Sequence, residues 1–288
     1  MVVSAEIEEG MLGTPVRDAL DGAITAIAAA GCETPRLDAE LLLAHVLGVS
    51  RERLLTDRDL TVSGPDVRAV QNAVRRRAVE REPVAYITGV RAFRRLELAI
   101  DRRALIPRPE TELLVEIAVA QMPAGARVLD VGTGSGAVAL ALADERPDLR
   151  VAGSDLSEDA LQLAHVNGER LGLSADWLYA DLLAGIPDEY DAILSNPPYV
   201  AASERAELAP EIVRHEPPCA LFAGADGLDC LRALIAAAGM RERVRTIALE
   251  HGAGQAPAVS ELMAAAGFPD VRCECDLAGI ERASVGRR

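Results

Sequence analysis

Two short stretches of this chain place residue types at a spacing that can do chemistry. Ser195-Asn-Pro-Pro-Tyr199 sets an amide side chain beside two consecutive prolines and an aromatic ring. A planar amide or aromatic amine donates its nitrogen lone pair into a π system and is therefore a poor nucleophile. If the Asn196 side-chain oxygen and the Pro197 carbonyl oxygen each accept one of its N–H groups, the nitrogen is held with its remaining electron density aimed one way. Pro197 and Pro198 fix φ and remove competing N–H groups, so such acceptors are preorganised, and Tyr199 can pack on the planar group. The second stretch is Asp130-Val-Gly-Thr-Gly-Ser-Gly136. Without β-carbons, Gly132, Gly134 and Gly136 let the backbone turn tightly and approach a ligand, and the start of a following helix offers unpaired N–H groups to an anion.

Both stretches need a scaffold, and the flanking patterns supply one. Arg127–Val131 reads as a buried strand and residues 137–145 as a helix, so the glycines sit in a strand-loop-helix nucleotide-binding arrangement. Tyr190-Asp-Ala-Ile-Leu194 is a further apolar strand that ends at Asn196. Ligands of open α/β sheets sit at the carboxyl ends of strands, which directs both motifs to one crevice. Residues 127–288 alternate strand patterns (127–131, 150–154, 175–179, 190–194, 243–249, 270–276) with helix patterns (137–145, 158–171, 228–239, 256–266). A mostly parallel sheet with helices on both faces is the expected fold.

The residues before this half read differently. Val16, Leu20, Ile24 and Ile27 lie on one helical face that Gly31 can end. Thr34-Pro35 opens a second helix, with Thr34 as cap, which runs to Gly48; Ser50 can cap a short third; and Ser63-Gly-Pro65 opens a fourth that ends before Pro83. His45, among leucines, reads as a core or boundary histidine. From Tyr86 to Ile106 the period changes to partial alternation, a β-hairpin. Leu105-Ile-Pro-Arg-Pro-Glu-Thr-Glu112 follows as a loop stiffened by two prolines, ahead of a helix over 111–121. The expected organisation is an N-terminal helical docking domain (1–85), a hairpin linker (86–106) and a catalytic domain (107–288).

Composition limits the function. The 288 residues are 50% hydrophobic, and Met1–Glu9 lacks a basic segment followed by an apolar one, so no secretory leader is expected. No uncharged apolar run reaches spanning length, so no membrane is expected either. Cys32, Cys219, Cys230, Cys273 and Cys275 are scattered and odd in number, which points to a reducing, cytoplasmic setting. Cys273-Glu-Cys275 has no second pair, and no metal is expected. The net charge of −15 disfavours general nucleic-acid binding, yet all 30 basic residues are arginine and residues 51–110 are locally basic. That segment is either a salt-bridged surface or a docking face for an acidic partner.

The Gly132-x-Gly134-x-Gly136 spacing departs by one residue from the dinucleotide fingerprint. With Asp130 before it and Asp155 at the end of the next strand, it resembles motif I of class I S-adenosylmethionine methyltransferases. That resemblance implies that Gly132, Thr133, Gly134, Ser135 and Gly136 hold the methionine portion of the cofactor. It also implies that Asp155 accepts the ribose hydroxyls, that Asp181 and Leu182 meet the adenine, and that Asn196 borders the cofactor. N/D-P-P-Y/F occurs both in amino methyltransferases of nucleic acids and in glutamine amide methyltransferases. A third, non-enzymatic reading is a cofactor-binding factor that docks through its arginines. An intact amide clamp argues against that, because binding alone does not need one.

The remaining segments separate these readings. Leu37-Asp-Ala-Glu-Leu-Leu-Leu-Ala44, Pro83-Val-Ala-Tyr-Ile-Thr-Gly89, Leu105 to Glu112, Val128 to Gly136, Asn196 to Tyr199, Glu216-Pro217 and Asp226-Gly-Leu228 together resemble the protein-(glutamine-N5) methyltransferases of peptide chain release factors, the PrmC/HemK family. The resemblance implies a five-helix N-terminal bundle, a hairpin linker and a Rossmann-like sheet of seven strands. It implies methylation of the glutamine in the Gly-Gly-Gln loop of class I release factors, modulating translation termination, with S-adenosylhomocysteine as product and no nucleic-acid substrate. Asn196, Pro197, Pro198 and Tyr199 would grip the glutamine amide, and Leu105, Pro107, Arg108 and Glu110 would line its pocket. Aromatic content of only 3% and an acidic catalytic half fit this better than a base-reading enzyme. Cys230 and His251 depart from the family pattern.

Overall fold

The computed structural model describes residues 13–288. Met1–Glu9, which carries the expectation about a secretory leader, lies outside the described residues. The chain forms two units, one running through Gly89 and including Pro210–His215, the other comprising residues 90–209 and 216–288.

In the first unit a two-residue strand β1 (Thr14–Pro15) pairs antiparallel with β2 (Thr61–Val62), and α1 (Val16–Ala29), α2 (Pro35–Leu47), α3 (Arg51–Thr56), α4 (Pro65–Ala78) and α5 (Val84–Thr88) pack around Ile27, Leu42 and Leu43. The apolar stripes bury, and the stop signals act where expected: Gly48 ends α2 in the left-handed region at φ 61°, and the Ser50 hydroxyl accepts from Arg53 N at the start of α3. Thr34 does not cap α2. Its hydroxyl donates instead to Asp38 Oδ1 at 2.8 Å, because that carboxyl is part of a buried ion cluster. Arg77, only 5% exposed, donates to Asp38 Oδ2 at 2.6 Å and to Glu211 Oε1 at 3.1 Å, and Arg81 holds the other Glu211 oxygen at 2.6 Å. His45 is exposed rather than part of the core.

The second unit opens with the hairpin β3 (Val90–Phe93) and β4 (Leu96–Ala99). The hairpin is shorter than 86–106, since Tyr86 and Ile87 are buried in α5 and Gly89, at φ 75°, ends that helix. A 3-10 turn at Pro109–Thr111 leads into α6 (Glu112–Gln121). Next come β5 (Arg127–Val131), α7 (Ala137–Glu145), β6 (Arg150–Asp155), α8 (Glu158–Leu171), β7 (Asp176–Tyr179) and β8 (Ala192–Ser195). The short α9 (Pro210–His215) belongs to the first unit; α10 (Asp229–Gly239), β9 (Thr246–Glu250), α11 (Ala256–Ala265), β10 (Asp270–Cys275) and β11 (Glu281–Arg287) complete the second.

These strands form one seven-stranded sheet in the order β10-β11-β9-β8-β5-β6-β7. It is parallel except at β11, which runs antiparallel to both β9 and β10. The apolar strands β5, β8 and β9 lie at its centre with helix-borne side chains on both faces, where alternate residues such as Val128 and Leu129 enter different cores. β11 is the strand the sequence patterns miss, because Glu-Arg-Ala-Ser-Val-Gly-Arg contains no apolar run. The order places the ends of β5 and β8 side by side, with β6 next to β5, so both chemical motifs emerge at one edge.

Candidate active site

The glycine loop is locked by its own backbone. Gly132 N and Thr133 N both donate to Ser154 O, at 2.8 and 2.9 Å, which ties the loop to the neighbouring strand β6. Gly132, Gly134 and Gly136 have φ of 71°, 57° and 82°, a region where a side chain costs about 1–2 kcal/mol. Asp155, at the end of β6, accepts Gly134 N on Oδ2 and Ser157 N on Oδ1, each at 2.9 Å. It therefore organises the loop as well as facing the same cavity. Thr133 donates to Asp130 Oδ2 at 2.6 Å, and burial lifts the Asp130 carboxyl to about 7. Asn167 of α8, fully buried, donates to Ser135 O and Ala99 O, both at 3.0 Å, and so joins the loop to β4. No motif advertises Asn167 in the sequence.

The Asn196–Tyr199 stretch leaves β8 beside that loop, where Ser195 Oγ donates to Val131 O at 2.6 Å. The Asn196 amide nitrogen donates to Thr111 Oγ1 at 2.9 Å. Its oxygen is thereby left for another donor. The Tyr199 hydroxyl donates to Glu250 Oε1 at 3.2 Å, and burial together with that carboxyl pushes the phenol above its ordinary range. Glu250, at the end of β9, is 1% exposed. Burial raises its carboxyl to about 7, while hydrogen bonding by Thr111 and Tyr199 acts in the opposite direction. The Tyr199 carbonyl accepts from Gln255 Nε2 at 3.1 Å, and Val200 bridges in parallel to Phe222. Thr111, Glu250 and Gln255 escape sequence reasoning because their partners lie 51 to 85 residues away.

A cavity of about 480 Å3 lies over these motifs. Gly132, Thr133, Gly134 and Ser135 line it together with Asp155, Asp181 and Leu182. On another side Asn196, Pro197 and Pro198 meet Leu105 and Pro107. Four of the expected residues stand behind that wall. Gly136 faces Trp177, Ala164 and Leu140, and Tyr199 packs on the core beside Glu250. Arg108 donates to both oxygens of Glu216, at 2.7 and 2.8 Å, and Glu110 is half-buried in the turn, near enough to Glu250 to oppose its ionisation. Leu182 has φ 52°, an uncommon value for a bulky side chain, and it occurs in the cavity wall next to Asp181. Cys230 also lines the cavity, and burial with the nearby Asp181 charge pushes its thiol up to about 11.

His251 lies away from the cavity. It is fully buried, with Nδ1 donating to Gly252 O at 3.1 Å, which leaves Nε2 to accept the Ser284 hydroxyl at 3.0 Å. Both nitrogens are used, and burial lowers its pKa. The thiol of Cys273 continues the same chain of contacts, 3.5 Å from Ser284 Oγ.

Residues 18–89 match the PrmC N-terminal domain family, and residues 109–221 match the methyltransferase small domain family. Among solved structures, the hMettl16 catalytic domain in complex with a MAT2A 3'UTR hairpin superposes with a TM-score of 0.54 at 19% identity, over 78% of this chain and 82% of that one. A 16S rRNA methyltransferase of T. thermophilus in complex with AdoMet and guanosine gives 0.50 at 19% identity, over 69% and 49%. These two establish the class I methyltransferase fold and nothing finer. Sequence relatives are far nearer. A release factor glutamine methyltransferase of Rhodospirillum rubrum is 40% identical over 99% of this chain and 88% of its own length. One of Deinococcus radiodurans is 40% identical over 95% and 98%, and one of Burkholderia pseudomallei 44% identical over 87% and 91%. With identity at this level running through both units, the chain belongs to the release factor glutamine methyltransferase family.

Proposed function

We infer that this enzyme transfers a methyl group from S-adenosylmethionine to the side-chain amide nitrogen of the glutamine in the Gly-Gly-Gln loop of class I peptide chain release factors, releasing S-adenosylhomocysteine. The observation that carries this reading is the Asn196 amide. Its nitrogen is engaged by Thr111, so the group it offers at the cavity wall is an acceptor, as a substrate N–H requires.

The residues present suit the cofactor. The volume of about 480 Å3 falls within the ~300–1,000 Å3 typical of small-molecule sites. Each Asp155 oxygen takes one backbone N–H and keeps a further lone pair for a ribose hydroxyl. Hydrogen bonds to such a charged acceptor are worth roughly 1.5–3 kcal/mol each. Asp181 and Leu182 would hold the adenine, and the glycine loop the methionine portion. When bound, the cofactor supplies an electrophilic methyl on a sulfonium.

The protein's own contribution is positioning. Asn196 Oδ1 and the Pro197 carbonyl oxygen each take one N–H of the glutamine amide, which orients the nitrogen without deprotonating it beforehand. Once bonded to the methyl carbon the nitrogen is strongly acidic and releases one proton to solvent, so alignment matters more than a strong base. His251 is in no position to serve as one. Leu105, Pro107 and the two prolines of the clamp provide a stiff, largely apolar wall that keeps water from competing for the acceptors.

A protein substrate rather than a nucleic acid is supported by how the basic segment is used. Arg51, Arg53, Arg75, Arg76, Arg77, Arg81, Arg94, Arg95, Arg103 and Arg108 each pair with a carboxylate of the chain itself. A phosphate-binding face would need those guanidiniums available. No described helix is long and apolar enough to cross a membrane. We propose a cytoplasmic enzyme without a metal.

The test uses purified protein, radiolabelled S-adenosylmethionine, and either a release factor or nucleic acid as acceptor. Label is expected in the release factor and is lost when the loop glutamine is changed to alanine. Label in nucleic acid alone would reject the reading.

A further inference from the structure

We propose that Glu250, acting through the Thr111 hydroxyl, is the positioning residue that decides which end of the Asn196 amide faces the acceptor nitrogen. The proposal rests on the function inferred above and concerns a group that does not itself touch substrate.

Three observations meet here. Asn196 Nδ2 donates to Thr111 Oγ1 at 2.9 Å. The Thr111 hydroxyl in turn bears on the Glu250 carboxyl, which also receives the Tyr199 hydroxyl on Oε1. Glu250 Oε2 is buried without a well-formed hydrogen bond of its own, in a residue 1% exposed. A buried polar atom left short of a partner costs about 1–3 kcal/mol, so a carboxyl in this place calls for a reason.

The reason follows from counting protons. A hydroxyl has one hydrogen to give and two lone pairs to receive with, and an ionised carboxylate only receives. Facing a carboxylate, Thr111 must spend its hydrogen on Glu250 and turn a lone pair toward Asn196. Only the NH2 end of the amide can answer that lone pair. Oδ1 is then driven to the opposite side, where the glutamine N–H is to be gripped. If the carboxyl is protonated, its own hydrogen can occupy Thr111, and the freed threonine hydrogen can go to Asn196 Oδ1. The amide then turns over and meets the glutamine NH2 with another NH2. Ionised Glu250 is therefore the competent state.

The charged and titratable groups around Glu250 come from every element packed on it. Tyr199 follows β8 and donates to it, and Thr111 on the 3-10 turn lies near enough to favour its ionisation. Arg282 on β11 favours its ionisation and Glu110 on the loop opposes it. With burial the largest influence, its carboxyl titrates at about 7.

The experiment measures kcat and KM for the release factor between pH 5.5 and 9, with cofactor affinity and thermal unfolding measured alongside. The wild type is expected to lose kcat as pH falls through about 7. Glu250→Gln and Thr111→Val should each lower kcat at pH 8 by roughly 10–100-fold, keep cofactor affinity within about threefold, and erase that acidic limb. Thr111→Ser, which restores only the hydroxyl, should recover both kcat and the limb. Retention of kcat and of the limb in both Thr111→Val and Glu250→Gln overturns the proposal, as does a Thr111→Ser enzyme no better than Thr111→Val. If Glu250→Gln does not fold, the two threonine variants decide alone. Failure of the inferred function looks different, since the wild type itself would then leave the release factor unlabelled.

Discussion

At the scale of single residues, the proposed function assigns Asp155 to cofactor binding and Asn196 to chemistry. Asp155 fixes the glycine loop through Gly134 N and Ser157 N and faces the cavity, whereas Asn196 is held from behind by Thr111 and contributes one acceptor. Asp155→Ala should weaken cofactor binding by at least about tenfold, since it removes both a ligand contact and the tether of the loop. Asn196→Ala should leave that affinity nearly unchanged while cutting kcat by roughly 10²–10³. Equilibrium binding and turnover measured on the same preparations check this; a parallel loss of both in Asn196→Ala would make Asn196 a cofactor residue only. The types and spacing of these two residues are legible in sequence because strand-end motifs are local. Thr111 and Glu250 are not, for nothing within a few positions of either signals that they face one another. Tyr199 shows the same limit. Its ring reads as a stacking platform, yet its hydroxyl is anchored on Glu250 and it stands behind the cavity wall.

At the scale of elements, patterns that depend on neighbours in the chain are legible and those that depend on partners in space are not. The expected helix over 137–145 and the expected strand over 127–131 coincide with α7 and β5, because a run of buried alanine and leucine or of valine and leucine fixes each. β11 is hidden because Ala283, Ser284 and Val285 gain their burial only from lying between β9 and β10. The start of the hairpin shifts by several residues because five residues of α5 bury Tyr86 and Ile87, a tertiary gain that alternation does not reveal. The clamp is likewise buttressed by segments distant in sequence. Gly227 has φ 75°, and a β-carbon there would collide with the Tyr199 carbonyl and lie 2.9 Å from Gln255 Nε2, the atom that holds that carbonyl. Gly227→Ala should therefore displace the Tyr199 backbone and reduce kcat by about tenfold or more while cofactor affinity stays within about threefold. Unchanged kinetics in this variant would show that the clamp does not depend on its rear support.

At the scale of the whole molecule, the charge pattern sets how stability responds to pH. The acidic excess is partly neutralised locally, with Asp101, Glu145 and Glu211 held below their ordinary carboxyl values mainly by arginine partners, against the cost of burial. A lowered carboxyl contributes stability that is present above its unfolded pKa and lost as pH falls through the folded value, so these groups govern the region below about pH 4. Asp130 and Glu250 are opposite in sign. Burial lifts each to about 7, so the folded state binds more protons than the unfolded chain between roughly pH 4 and 7. Their contribution is complete below the unfolded value and is lost as pH rises through about 7. Glu216 is raised in the same direction, while His251, whose pKa burial lowers, acts against them by one proton. The balance still favours proton uptake by the folded state. The unfolding temperature should consequently fall between pH 5.5 and 8, by a stability on the order of 2 kcal/mol. That is the scale of one to two pKa steps at ~1.4 kcal/mol each. Asp130→Asn should flatten that slope, and Glu250→Gln should flatten it again. A flat profile in the wild type would mean that these carboxyls are ionised at no cost. Glu250 thus stabilises the fold in the protonated form and orients Asn196 in the ionised one, so Glu250→Gln should lose the acidic limb of kcat together with its own share of the stability slope, which has the opposite sign.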